Sequence, residues 1–257
     1  MLHGIYEALS GGVAQARRLE VLTNNLANAS TAGFRRDVVV FRELPSRAPV
    51  SAAASGGMPI RSFVGVAGTF TDWEGGAVRE TGNPLDVALV GDGFFTVDTP
   101  QGIRYTRRGD FRIDANGQLV TREGHPVLGE GGPISLQDLV DLGGKVEIST
   151  EGRVVLVDPV TRTETEVDRL RLVRFTDPGA LRKEGPYFKL RPGAAGVLPA
   201  EDVQVQQGAL ESSNVNPVQE MVGMLEALRA FEAYQRMIRA MDEMNQRAVN
   251  DLGRVSA

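Results

Sequence analysis

The sequence predicts an α+β chain: a long helix at each end, the two paired as a coiled-coil-like hairpin, with a central, mostly antiparallel β domain between them. Three observations carry that expectation. Apolar and small residues recur at three-four spacing over residues 2–28, the same spacing returns from Asn216 to about Leu252, and from Gly82 to about Leu190 the period falls to two. The chain has 257 residues, 42% hydrophobic and 24% charged, which is enough for one or two domains with a real core.

The first helix carries Leu2, Ile5, Leu9, Gly12, Ala16, Leu19 and Leu26 along one stripe about 40 Å long. Glu7, Gln15, Arg17, Arg18 and Glu20 form its polar flank, and Asn24, Asn25 and Asn28 crowd its end, where asparagine caps well and tolerates left-handed backbone. Residues 45–69 hold Pro45, Pro49, Pro59, an Ala/Ser tract and Gly56-Gly57, a composition that favours an irregular connector. In the middle, runs such as FFTVD, IRYTR, VVLVD and LRLVRF are separated by turn chemistry. Pro100-Gln101-Gly102 reads as one hairpin turn, and Asn116-Gly117 as another with both central residues at positive φ. No helical crossover separates these runs, so the pairing should be antiparallel. The last helix aligns Met221, Met224, Leu228, Phe231, Tyr234, Ile238 and Met241, and Pro217 suits its first turn. The expected organisation is an N-terminal assembly helix and motif at 1–36, a connector at 37–81, a β domain at 82–203 and a C-terminal assembly helix at 204–257.

Both stripes lie outside the β region and most simply cover each other. The expected assembly face is Ile5, Leu9, Leu19 and Leu26 on the first helix with Met221, Leu228, Phe231, Ile238 and Met241 on the last. Tyr6, Val21, Val222 and Leu225 fall beside that seam, and exposed apolar strips mark association surfaces.

The balance of 28 basic against 33 acidic residues argues against a nucleic-acid partner, which needs a basic face. Zero cysteines exclude disulfides and thiolate metal sites, and His3 and His125 leave little for acid–base or metal chemistry, so no catalytic residue, metal or cofactor is expected. Gly91-Asp92-Gly93 lacks the rest of a dinucleotide fingerprint and reads as a turn, and Asp114-Ala115-Asn116-Gly117 lacks the later ligands of a calcium loop. The start, MLHGIYEALSGG, shows no cleavable leader, and no run of about 18 apolar residues spans a bilayer.

Three blocks resemble the flagellar rod and hook proteins, a family of axial subunits. Asn24-Asn25-Leu26-Ala27-Asn28-Ala29-Ser30-Thr31-Ala32-Gly33-Phe34-Arg35-Arg36 is similar to the motif that closes their first helix. Gly82-Asn83-Pro84-Leu85-Asp86-Val87-Ala88-Leu89-Val90-Gly91-Asp92-Gly93-Phe94-Phe95, with Tyr105-Thr106-Arg107 and Gly117-Gln118-Leu119-Val120 after it, resembles their central domain. Gln207-Gly208-Ala209-Leu210-Glu211-Ser212-Ser213-Asn214-Val215-Asn216 resembles the opening of their last helix. The motif residues taken over from the resemblance are Asn24, Asn25, Asn28, Gly33, Phe34, Gly82, Asn83, Asp86, Gly91, Gly93, Asn214 and Asn216. Chain length and the stretch from Asn214 to Val222 look more like the proximal-rod type than the distal-rod type. The resemblance implies a structural, non-enzymatic subunit of the periplasm-spanning rod, exported through the flagellum's own apparatus without a cleaved leader. Its implied partners are further copies, the proximal and distal rod subunits and the export apparatus. The competing reading is a secreted β-domain adhesin or binding module with helical tails; a peptidoglycan hydrolase would need a carboxylate pair that no feature marks.

Overall fold

The computed structural model describes residues 2–45, 62–137, 144–158, 161–194, 196–200 and 202–255. They form two compact units. One comprises Met1–Ala27, Asp37–Asp72 and Asn216–Ala257, and the other Asn28–Arg36 and Trp73–Val215.

The first is the helical unit. Helix α1 (Leu2–Ala27) and helix α2 (Pro217–Val255) run antiparallel. Met241 lies against Gly4, Tyr234 against Gly11, Glu226 pairs with Arg18, and Gly223 lies against Leu22, so partner numbers fall on α2 as they rise on α1. Strands β1 (Asp37–Pro45) and β2 (Ser62–Thr71) pair antiparallel from Asp37↔Thr71 to Pro45↔Ser62, with a bulge between Val40 and Phe41, and the hairpin packs on α1. Residues 62–69, expected to be irregular, are therefore strand. Glycines at 65 and 68 hid a run that is otherwise largely β-branched and aromatic. The rest of the expected connector, including Pro49, Gly56-Gly57 and Pro59, lies outside the described residues.

Helix α2 starts where its sequence tells it to. Asn216 accepts from the amides of Val218 and Gln219 through Oδ1, as an N-cap does, and Pro217 occupies the first position, where no amide donor is needed.

The β unit holds β3 (Val78–Glu80), β4 (Val87–Val90), β5 (Phe94–Thr99), β6 (Gly102–Thr106), β7 (Arg112–Ile113), β8 (Leu119–Val120), β9 (Lys145–Ile148), β10 (Arg153–Val157) and β11 (Glu164–Arg169). It continues with β12 (Leu172–Phe175), β13 (Leu181–Glu184), β14 (Tyr187–Leu190), β15 (Val197–Pro199), β16 (Gln204–Gln207) and β17 (Ala209–Glu211). Its largest sheet has the order β13-β14-β6-β5-β12-β15, a second is β11-β10-β9, and β16-β4, β17-β3 and β7-β8 are pairs; the pairing is antiparallel throughout. Residues 204–211, grouped with the last helix in the sequence reading, are strands β16 and β17: they bring the chain back onto β4 and β3 before α2 begins.

One core joins Val87, Phe95, Phe111, Leu119, Val127, Ile134, Leu136, Val154 and Val205. A second gathers Phe94, Val173, Leu181 and Phe188 under Trp73, Tyr105 and Phe175, with rings meeting mainly edge to face, the arrangement that ring quadrupoles favour. The turn after β7 differs from expectation. Only Gly117 has positive φ there, and Asp114 Oδ1 accepts from the amides of Asn116 and Gln118. That side-chain capping favours a three-residue loop ending in a left-handed glycine over the two-residue turn that Asn-Gly suggests.

Candidate assembly interface

The seam between the helices is built of small residues on one side and large ones on the other. Ala8, Gly11, Gly12 and Ala14 are buried on α1, and Tyr234 fills the space that Gly11 leaves: a Cβ there would stand 2.4 Å from the tyrosine ring. Thr23 Oγ1 approaches Met224 Sδ at 3.9 Å, and Ala227 is fully buried on α2. This line is turned from the stripe read off the sequence. On α1, Ile5, Leu19 and Leu26 are half-buried and Leu9 is 49% exposed. On α2, Phe231, Ile238 and Met241 are half-buried, and Met221 and Leu228 are exposed. The sequence reading missed Gly4, Ala8 and Gly11, because small residues carry little weight in a hydrophobic stripe, whereas Tyr234 stood on the stripe read for the last helix.

Outside that seam the helices display a second apolar line. Tyr6, Leu9 and Val13 face out on α1, and Val218, Met221, Val222, Leu225 and Leu228 on α2. The β1–β2 hairpin adds exposed Val38, Val40, Phe41, Val64 and Phe70.

Asn25 closes the helical unit at the end of α1. Its side-chain amide donates to the Asp37 carbonyl at 2.9 Å and to Glu220 Oε2 at 3.2 Å, and its Oδ1 accepts from the Asp37 amide at 2.9 Å. One side chain thus pins the end of α1 to the start of β1 and the first turn of α2, and both Asn25 and Glu220 are buried. Asn24 stands exposed on the same turn.

In the β unit the three sequence blocks meet at a buried ion cluster. Glu211, from the third block, receives Arg35 Nη1 at 2.6 Å and the Gly76 amide at 2.9 Å on Oε1, and Arg107 Nε at 2.8 Å on Oε2. Arg35, Arg107 and Glu211 are 3%, 6% and 2% exposed. Arg107 also donates to the carbonyls of Gly91 and Gly93 at 2.8 and 2.5 Å. Burial pushes its guanidinium below the ordinary arginine value, and the charge of Glu211 opposes that shift.

Around the cluster the segment 33–36 is gripped on every side. Gly33 donates its amide to the Glu211 carbonyl and sits at φ +62°, where a Cβ would stand 2.5 Å from the Arg107 backbone. Lys183 Nζ lies 3.7 Å from the Phe34 ring centroid and donates to the Arg35 carbonyl at 2.6 Å. Asn214 Oδ1 accepts from the Arg36 amide at 2.7 Å, while its own side-chain amide donates to the Glu74 carbonyl. Upstream, Asn28 accepts from Thr31.

The other motif residues hold a turn. Asp86 accepts from Thr81 Oγ1 and Asn83 Nδ2, Gly82 adopts φ +74° and donates to the Gly208 carbonyl, and Gly93 packs its bare Cα against Val203. His125 lies beside Tyr187 at the turn after β8, with ring centroids 5.6 Å apart and the planes tilted by 58°.

These features define a structural subunit: a clasped β unit from which two long, outwardly apolar helices extend in sequence. The comparisons with known proteins carry the classification further. Residues 5–35 match the family described as flagella basal body rod protein, residues 88–156 the flagellar hook protein FlgE/F/G D1 domain, and residues 206–252 the flagellar basal body rod FlgEFG protein C-terminal family. The chain is 35% identical to the flagellar basal-body rod protein FlgF of Mesorhizobium japonicum, covering 98% of this chain and 99% of that one. It is 34% identical to FlgF of Escherichia coli, over 96% and 97%, and 31% identical to FlgG of Bacillus subtilis, over 97% and 99%. The chain therefore belongs to the flagellar basal-body rod protein family and is FlgF-like. No helix among the described residues is long and apolar enough to cross a membrane.

Proposed function

We propose that this rod subunit occupies the proximal rod and that it catalyses nothing: it joins neighbouring rod subunits through α1 and α2, whose coiled-coil-like pair lines the axial shaft and export channel. The observation that carries the reading is the outward apolar line on helices whose own seam is already packed. Water-exposed Tyr6, Leu9, Val13, Val218, Val222 and Leu225 find their burial in other subunits. The stretch 37–81 acts as an adapter to neighbours, with the exposed apolar residues of the β1–β2 hairpin as its contact points. The chain passes unfolded through the flagellar export apparatus.

The test pairs a rod-assembly and motility assay with melting of the purified protein. Phe231→Asp puts a carboxylate beside the seam, where burial without a partner costs at least about 1–3 kcal/mol. Loss of rods with an unchanged melt of the β unit supports the reading. Normal swimming with Phe231→Asp as the only copy would show that the helix pair has no part in assembly.

A further inference from the structure

The residues just before α2 finish the β unit. Strands β4 and β3 take β16 and β17 as their ladder partners, from Gln204↔Val90 to Gln207↔Val87 and from Ala209↔Glu80 to Glu211↔Val78. Val87, Ala88 and Leu89 are buried, so without β16 part of their main chain would lie inside with no hydrogen-bond partner. Val203 and Val205 belong to the main core, and Ala209 is fully buried.

Polar groups of the same segment reach further. Gln207 donates to the Pro84 and Val146 carbonyls at 2.8 and 2.9 Å and accepts from the Ile148 amide at 3.1 Å. The Gly208 carbonyl accepts from the amides of Thr81 and Gly82, and the Gly208 amide donates to the Asp86 carbonyl. Glu211 is the ion partner of both Arg35 and Arg107. Take away 203–214, and two buried like charges stand together with their shared carboxylate gone.

The remaining pairings are local or short. The strand pairs β5–β6, β9–β10 and β13–β14 are hairpins, and a lone hairpin is marginal in water. Strand β14 meets β6 at Phe188↔Tyr105, and β12 meets β5 at Leu172↔Phe95 and Val173↔Phe94. The bonds made by 203–214 instead join residues 104 to 140 positions apart, from Arg107–Glu211 to Glu74–Asn214. Contacts of that span form only after a large loop has been closed.

We propose that residues 203–214 are the closing strip of the β unit and that their arrival times its folding. A chain is made from its N-terminus onward, so the unit stays open until only the 46 residues beyond Glu211 are still unmade. An open chain can be threaded through a channel, and a closed β unit cannot. The use of this delay rests on the reading that the chain is exported unfolded; the delay itself is a property of the chain alone.

Trp73 is the single tryptophan and lies 5.9 and 5.0 Å from the rings of Phe94 and Phe188, in a core that holds no residue of the strip. Its fluorescence reports closure at a distance from the strip. In stopped-flow refolding of the full chain, Val205→Ala should lower the folding rate by the same factor as the folding equilibrium, about five- to thirtyfold, with unfolding nearly unchanged. Leu181→Ala, in the β13–β14 hairpin, should speed unfolding and leave the folding rate within about twofold. A Val205→Ala chain that folds at the wild-type rate and only unfolds faster would show that the strip docks on a unit already closed, which overturns the proposal. Equal slowing by Leu181→Ala overturns it as well.

If Val205→Ala fails to fold, pulse-labelled exchange on the refolding wild-type chain decides. The amides of Asp98 and Leu128, bonded to the Pro126 and Thr96 carbonyls, should gain protection no earlier than the Val205 amide, bonded to Thr150. Earlier protection at Asp98 and Leu128 overturns the delay. During synchronised synthesis of the full chain, protease resistance of the β unit should appear only once Glu211 has left the ribosome, and resistance in shorter nascent chains overturns the timing. Each of these failures leaves the rod reading intact, whereas absence of the wild-type chain from basal bodies would overturn that reading and leave the delay standing.

Discussion

The β unit and the helical unit spend their apolar residues differently. In the β unit Val87, Phe95, Val97, Leu136 and Val154 are fully out of water, and even the buried charges of Arg35, Arg107 and Glu211 are matched in ion pairs. In the helical unit much of the deeply buried surface is alanine and glycine, while tyrosine, leucine, valine and methionine face outward. The first is finished by its own chain. The second is left for neighbours to finish, so its free form should exchange amide hydrogens faster along both helices than in the strands.

The largest expected effect tests the first half of that contrast. Glu211→Gln leaves Arg35 and Arg107 buried without their counter-charge, and breaking a buried pair in this way costs about 3–5 kcal/mol. Thermal melting of the β unit should fall accordingly, and an unchanged midpoint would mean that water reaches the cluster.

Next comes Gly33→Ala. It forces an L side chain into left-handed backbone against the Arg107 main chain, at a cost of at least about 1–3 kcal/mol. Denaturant titration should show a lower midpoint, with exchange at the Arg36 amide speeding up.

In the helical unit Gly11→Leu overfills the pocket of Tyr234, and overpacking of this kind costs about 1–3 kcal/mol, offset in part by the better helix propensity of leucine. Circular dichroism should show helix loss at lower temperature while the β signal stays in place. Equal damage to both units would break the contrast.

The smallest effect concerns acid. Glu123 accepts from Arg108 at 2.7 Å and from the Tyr187 hydroxyl at 2.9 Å. Burial alone would raise its carboxyl, but the Tyr187 hydrogen bond and the Arg108 charge together outweigh it and hold the group below the usual glutamate value. Its stabilisation is therefore complete above the unfolded value of about 4.3 and is lost as pH falls through the lower folded value. Because the group is partly exposed, the amount stays below about 1 kcal/mol. Glu123→Gln should melt slightly lower at pH 7, with the gap to the wild type closing below about pH 4. A gap that widens in acid would reverse the sign.

Much of this architecture was legible. The change of period from 3.6 to two and back located both helices and the β unit between them, because burial on one face imposes that rhythm whatever the tertiary detail. The rotation of the seam was not legible. Leu2, Ile5 and Leu9 make a better stripe than Gly4, Ala8 and Gly11, yet close helix packing selects the small residues and leaves part of the visible stripe for other contacts. The ion cluster was hidden for another reason. Arg35, Arg107 and Glu211 look like ordinary surface charges, and nothing local reveals that the first and last meet through a loop of strands. The one available signal was that each falls inside a block of family resemblance, which makes the three blocks a single physical object.

That object also has a mechanical meaning. Arg36 and Asn214 are 178 residues apart in sequence and joined by one hydrogen bond, with Glu211 bridging Arg35 and Arg107 beside it. Tension applied to α1 enters through residues 28–36, crosses the Arg35–Glu211 bridge and leaves through 212–216 into α2. The strands in between hang from that short link as a closed loop. Tension that runs along the main chain between the two helices would therefore cross a few polar contacts and leave the strands between Arg36 and Asn214 unstretched.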